Sequence, residues 1–200
     1  FRNSWAIPSP TARFPASPSS AMHGQRRWYV VGLLFLAILI NYVDRGNLSI
    51  AAVPLMNDFG LAPARMGMLL SAFFWTYATM QIPAGVLIDR YGIRSIYAVS
   101  FVVWSLATAA IAWADTFGQV FVCRLMLGVG EAVAAPASLG YIRQTFRQDE
   151  SGLPTAVYTA GMMVGPAVGS LAGALILDSA GWRALFLITG LGACWWVLPW

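Results

Sequence analysis

Four ionisable residues stand inside stretches apolar enough to cross a bilayer: Asp44 and Arg45 in NYVDRGNLS, Arg124 and Glu131 in RLMLGVGEA. Their types define the chemistry on offer. An arginine in a low-dielectric setting binds carboxylate or phosphate through its planar fork of N–H donors. A carboxyl group held out of water favours its neutral acid, the property a proton carrier needs. The four sum to zero formal charge. A charge at mid-bilayer costs at least about 2.5 kcal/mol on insertion scales, so such residues face a bundle interior or a watery cavity and mark a transport path. The bland alternative is a structural ion pair.

Composition places these residues in a membrane. Apolar residues form 58% of the chain and charged residues 10%, with a mean hydropathy of +0.67, values foreign to a soluble domain. The formal charge of +4 comes from twelve arginines, no lysine among them, scattered singly or in pairs between apolar runs. No basic face with interleaved aromatics exists, so a nucleic-acid partner is not expected. Cys123 and Cys194 both lie in apolar runs. A disulfide framework, a metal site and a cofactor are therefore not expected, and the two thiols read as packing residues.

Six spans hold the charged groups. A helix needs about 20 apolar residues to cross the hydrocarbon core, so the run from Trp28 to Ile40 must continue through NYVDR to about Pro54. Five more follow at Met66–Ile88, Ile96–Trp113, Phe117–Tyr141, Thr155–Leu177, and from Ala184 onward. With the N-terminus in the cytoplasm, Arg26, Arg27, Arg90, Arg94, Arg143 and Arg147 fall inside, and only Arg65 and Arg183 outside. That asymmetry follows the positive-inside rule. Trp28, Tyr91, Tyr97, Trp113, Tyr141 and Trp182 lie near span ends and read as interfacial anchors. Residues 1–25, rich in Pro, Ser and Ala, are expected to be a disordered or untranslated extension, with Met22 as the start. Residues 26–200 are expected to be a transmembrane unit interrupted in its sixth span.

Depth and spacing refine the site. At 1.5 Å per residue, Asp44 and Arg45 stand roughly 5 Å to the outer side of the midplane, Arg124 roughly 7 Å to the outer side, and Glu131 roughly 3 Å to the inner side. Asp44 and Arg124 are thus expected to pair, leaving Glu131 more nearly alone. Arg124, Gly128 and Glu131 are at i, i+4 and i+7, so one face carries a cation, a glycine gap for ligand or water, and an acid. Asn41, Asp44, Arg45 and Leu48 share a stripe with Tyr42 beside it, and Tyr77 and Gln81 are i, i+4 neighbours in the second span. Tyr77 and Gln81 read equally as substrate contacts or as interhelical hydrogen-bonding groups. Gly161, Gly165, Gly169 and Gly173 form a four-residue ladder in the fifth span, a close-contact face expected to meet a helix beyond Trp200. Tyr158 is expected to face elsewhere, towards a cavity.

GVLIDRYGIR, Gly85 to Arg94, resembles the major facilitator signature between the second and third spans: Gly85, Leu87, Asp89, Arg90, Gly92 and Arg94 all fit its pattern. More narrowly, NYVDRGNLSIA, RLMLGVGEA and GWRALFLITG resemble the anion:cation symporter family, which includes sialin, vesicular glutamate transporters and bacterial sugar-acid symporters. The resemblance covers about Arg26 to Trp200.

It implies an all-α membrane protein: the N-terminal six-helix bundle of a twelve-helix fold, each half built from two inverted three-helix repeats, with the site at the midplane. The missing C-terminal six-helix half would be its partner. In that family the arginine matching Arg45 binds the substrate carboxylate, acids matching Asp44 and Glu131 take up protons, and an arginine matching Arg124 tunes the glutamate or pairs the first-span acid. Asp89 and Arg90 would latch the halves together on the cytoplasmic side, the acid near the positive end of a helix. The chain departs from the pattern after Glu131: Val133 and Ala135 replace a proline and an aromatic, only Pro136 is kept, and Ser151 stands where a basic residue often follows the glutamate.

The resemblance points to import of an organic anion, a sugar acid or related carboxylate, with protons, through a multi-pass protein of the bacterial inner membrane. Sodium-coupled or exchange-type transport and a non-transporting sensor of the same fold stay open. A cationic-drug antiporter would want an acidic cavity, whereas these spans carry two cations and two anions. An aspartyl protease would need two facing acids, whereas Asp44 and Glu131 differ in depth by roughly 8 Å.

Overall fold

The computed structural model describes residues 18–200. Of the extension expected over residues 1–25, residues 1–17 therefore lie outside the described residues. The described chain is helical throughout. Helix α1 (Pro18–Ile50) runs on through Ala51 into α2 (Ala52–Phe59), and Ala51 N–H donating to Asn47 O at 2.9 Å keeps the two in line. They form the first span. Gly60, at φ 60°, closes α2 in the left-handed region, where a side chain would be strained.

Helix α3 (Pro63–Tyr91) is the second span and tolerates Pro83 within it. Gly92, at φ 84°, turns the chain directly into α4 (Ile93–Ala110), extended by a 3₁₀ turn over Ile111–Trp113. The fourth span begins at α5 (Phe117–Glu131), whose first turn is fixed by a capping box between Thr116 and Gln119. It breaks just after Glu131 and resumes as α6 (Ala134–Thr145). Pro136 has no N–H to return to Ala132 O, which accounts for the break at that place.

Helix α7 (Gly152–Cys194) is two spans joined at Gly181, where φ 81° and ψ 173° interrupt the helical path. Four segments are long and apolar enough to cross a membrane: Gly24–Ile50, Ile93–Trp113, Phe117–Thr145 and Gly152–Val197, the last containing two spans. Helix α3 is not among them, because Ser71, Thr76, Tyr77, Thr79 and Gln81 lower its hydropathy. Six helical spans result, in the expected order.

Glycines set how closely the spans approach. The ladder on α7 packs on α1 and not on a helix beyond Trp200: a Cβ at Gly161 would lie 2.8 Å from Phe35 O, one at Gly165 2.9 Å from Leu39 O, and one at Gly169 3.1 Å from Val43 Cα. A small-residue stripe promises close contact but does not name the partner. Tyr158 is likewise buried and not turned to an open cavity; standing at i−3 from Gly161, it shares the ladder's face. Gly128 gives no room for a ligand. A Cβ there would collide with the α3 backbone at Phe73 O and Tyr77 N, so the glycine lets α3 and α5 touch.

Two apolar clusters fill the bundle. One holds Leu34, Phe101, Trp104, Leu127 and Trp196; the other holds Leu48, Leu55, Leu69, Val120 and Leu185. Along α1 and α5 the buried Asn41, Asp44, Asn47 and Arg124 fall between the stretches that feed these clusters. Not all expected anchors lie at a surface. Tyr97 is fully buried with its hydroxyl 3.1 Å from Ser138 Oγ, and Trp182 is buried with Nε1 donating to Asp58 at 2.7 Å. Each polar tip finds a protein partner, so neither ring needs the headgroup layer.

Candidate functional site

Three elements converge on the polar layer. Helix α1 contributes Asn41, Tyr42, Asp44, Arg45 and Asn47; α3 contributes Phe73 and Tyr77; α5 contributes Arg124 and Glu131. Arg45 Nε donates to Glu131 Oε2 at 2.8 Å, joining the first span to the fourth. The Arg45 side chain is 18% exposed, while that of Glu131 is fully buried. Three rings surround the guanidinium, whose carbon lies 4.5 Å from the Tyr77 centroid, 4.9 Å from Tyr42 and 5.0 Å from Phe73. Their π faces hold the cation while its remaining N–H donors stay available to a second acceptor.

Glu131 is therefore not isolated, as its depth had suggested. The depth estimate compared Cα heights, and an arginine side chain reaches far enough along the helix axis to close the gap. The expected Asp44–Arg124 ion pair is absent among the described residues. Asp44 Oδ1 instead accepts from Asn47 Nδ2 at 3.3 Å. Arg124, 2% exposed, donates from Nε to Leu69 O at 3.4 Å, and its guanidinium carbon lies 5.2 Å from the Phe73 centroid.

Phe73 was missed in the sequence, though it stands one turn from Tyr77, with which it stacks at 5.3 Å. It is fully buried, with one guanidinium at 5.0 Å and another at 5.2 Å. The i, i+4 rule that linked Tyr77 to Gln81 would have found it in the other direction. Gln81, half-buried one turn beyond Tyr77, makes no hydrogen bond among the described residues. Several buried polar atoms also lack partners among the described residues, including both amide atoms of Asn41, Asp44 Oδ2, Arg124 Nη1 and Glu131 Oε1. The carboxylate oxygens among them could accept a proton or a hydrogen bond, and the Arg124 and Asn41 N–H groups could donate to an acceptor.

The signature residues lie apart from this cluster. Gly85 is half-buried on α3, Asp89 and Arg90 are exposed in its last turn, Gly92 makes the left-handed corner, and Arg94 is exposed on the first turn of α4.

Residues 34–200 match the Major Facilitator Superfamily. The chain belongs to that superfamily. It is thus a member of a transporter family and not of an enzyme family. It is 35% identical over 176 residues to the probable anion transporter 4, chloroplastic, of Oryza sativa subsp. japonica, covering 86% of this chain and 30% of that protein. It is 32% identical over 182 residues to the D-galactonate transporter of Escherichia coli O6:H1, covering 91% of this chain and 42% of that protein. A crystal structure of a bacterial homolog to the human lysosomal transporter Spinster, inward-facing and occupied, superposes with a TM-score of 0.77 at 26% identity, covering 86% of this chain and 43% of that one. The chain thus spans less than half the length of these relatives.

Proposed function

We propose that this chain is the N-terminal half of a secondary active transporter that imports an organic anion, a sugar acid or related carboxylate, together with protons. One observation carries the reading: a partly exposed arginine, boxed by Tyr42, Phe73 and Tyr77, is neutralised by a single fully buried carboxylate. That is an exchangeable pairing. When Glu131 takes a proton, Arg45 loses its anionic partner, and a substrate carboxylate replaces it at the same guanidinium. The net charge of the layer is then conserved, because one anion enters for each carboxylate neutralised.

The other residues take roles around this exchange. Tyr42 and Tyr77 flank the substrate, Gln81 extends the contact along α3, Asp44 is the second proton-coupling acid, and Arg124 holds the local potential that both acids feel. A ligand shifts a two-state equilibrium only by its differential affinity, and here the differential arises from which carboxylate Arg45 holds. Asp89 and Arg90, with the corner set by Gly85, Gly92 and Arg94, serve as the latch to a second six-helix half. Each half is read as two inverted three-helix repeats. The membrane is read as a bacterial inner membrane, and the arginine asymmetry supports a cytoplasmic N-terminus.

The test is to express the complete reading frame in intact cells and follow external pH while galactonate, glucarate and glucuronate are added one at a time. Alkalinisation with one anion supports both substrate class and proton coupling. Uptake that follows sodium and leaves external pH unchanged would transfer the reading to sodium coupling. No response across the panel, with the protein present in the membrane, would leave a sensor or an exchanger.

A further inference from the structure

The sixth span carries no charged residue opposite the polar layer, yet it reaches Asp44. Asn47 lies one turn beyond Asp44 on α1 and is fully buried. Its Nδ2 donates to Asp44 Oδ1 at 3.3 Å and to Thr189 Oγ1, on the second limb of α7, at 2.9 Å. Thr189 in turn donates its hydroxyl proton to Leu185 O at 2.8 Å. This chain of donors has a fixed direction: with its own proton spent on the backbone, Thr189 presents lone pairs to Asn47. The amide must therefore turn its N–H groups, and not its oxygen, towards Thr189 and Asp44.

Two consequences follow for Asp44. Its Oδ1 is occupied by a donor, and its Oδ2, which has no partner among the described residues, is left as the atom free to receive a proton. The charged groups that act on it are Glu131 and Arg124, both from α5. Thr189 and Asn47 are the neutral groups that complete its surroundings. A crevice of about 200 Å³ between α1 and the sixth span is lined by Asp44, Thr189, Ile188 and Gly192, so the tether borders open space between these two spans.

We propose that Asn47, anchored by Thr189, is a positioning residue for proton coupling: it holds the Asp44 carboxylate by Oδ1, presents Oδ2 to the proton, and ties that event to the sixth span. The inference rests on the reading of Asp44 as a proton-coupling acid. A donor to a carboxylate stabilises its ionised form. Removing Asn47 therefore makes protonation easier, and the pH profile of uptake moves to higher pH.

The experiment compares the pH dependence of anion uptake by the complete reading frame for wild type, Asn47→Leu, Thr189→Val and Thr189→Ser, each normalised to protein in the membrane. Losing a hydrogen bond to a charged group corresponds to a midpoint shift of about one unit, expected for Asn47→Leu. Thr189→Val, which removes only the anchor, should shift the midpoint in the same direction by less, and Thr189→Ser should restore it. A merely structural pair would reduce the amount of protein without moving the midpoint. Unshifted midpoints for Asn47→Leu and Thr189→Val beside a pH-dependent wild type would overturn the inference alone. A wild type with no pH dependence would overturn the proton-coupling reading, and this inference with it.

Discussion

Arg45 on the first span and Glu131 on the fourth are joined by an Nε–Oε2 bond of 2.8 Å, with the arginine partly exposed and the glutamate fully buried. The asymmetry matters. A pair buried equally on both sides has no route to a competitor, whereas this one exposes its cation and hides its anion. Breaking a buried pair by removing one partner costs about 3–5 kcal/mol because the other charge is left uncompensated. On the proposed mechanism, a substrate carboxylate avoids that cost by taking the arginine as the glutamate becomes neutral.

Glu131→Gln tests this exchange directly. The amide is a neutral mimic of the protonated acid, so Arg45 should be permanently available to an anion. Proton-driven accumulation is expected to be abolished while downhill exchange of anion persists. Accumulation by cells and counterflow in vesicles separate the two. Equal loss of both would show that Glu131 has no role in coupling.

Arg45→Lys keeps the charge and removes the planar fork that meets Glu131 and lies among three rings. A lysine offers a compact charge without that geometry. With a charge-assisted hydrogen bond worth about 1.5–3 kcal/mol, KM for the anion should rise by about 10- to 100-fold. Uptake measured over a range of anion concentrations checks it. An unchanged KM would remove Arg45 from the binding site.

How far the sequence could be read depended on which physical quantity decided each feature. The spans were legible because an apolar run of fixed length is itself the signal, and the four membrane charges were legible because nothing else in those runs is polar enough to compete. Their pairing was not. It depends on side-chain reach and on which carboxylate is already bonded, and Asn47, which donates to Asp44, was not singled out in the sequence. Phe73 was hidden for the opposite reason: an aromatic in an apolar span carries no signal of its own, and only the two guanidiniums beside it give it meaning. The Gly161–Gly173 ladder was read correctly as a close-contact face and assigned the wrong neighbour, since periodicity fixes a face and not what covers it.

Gly165→Ala follows from that neighbour. Its new Cβ would stand 2.7 Å from Tyr42 Cβ and 2.9 Å from Leu39 O, and backbone cannot yield cheaply. Overpacking of this kind costs about 1–3 kcal/mol, so the melting temperature in detergent should fall. Because Tyr42 lies 4.9 Å from the Arg45 guanidinium, KM should rise as well. Gly118→Ala, with nothing within 4 Å of the added methyl, is the matched control and should change neither quantity.

Asp89→Asn separates the proposed latch from the proposed binding site. Asp89 and Arg90 are exposed at the end of α3, far along the helix from Tyr77, and Gly92 holds the corner behind them. Nothing in the packing of the described residues depends on the carboxylate, so the melting temperature and the KM of the anion should be unchanged. If the acid meets the positive end of a helix in a second half, as proposed, the interaction is worth about 1–2 kcal/mol in one conformation only. Losing it shifts the balance between the two conformations, and maximal uptake should change by about 5- to 30-fold while exchange at saturating anion on both sides changes less. Normal turnover in the variant would reduce the motif to a solvated turn fixed by Gly92.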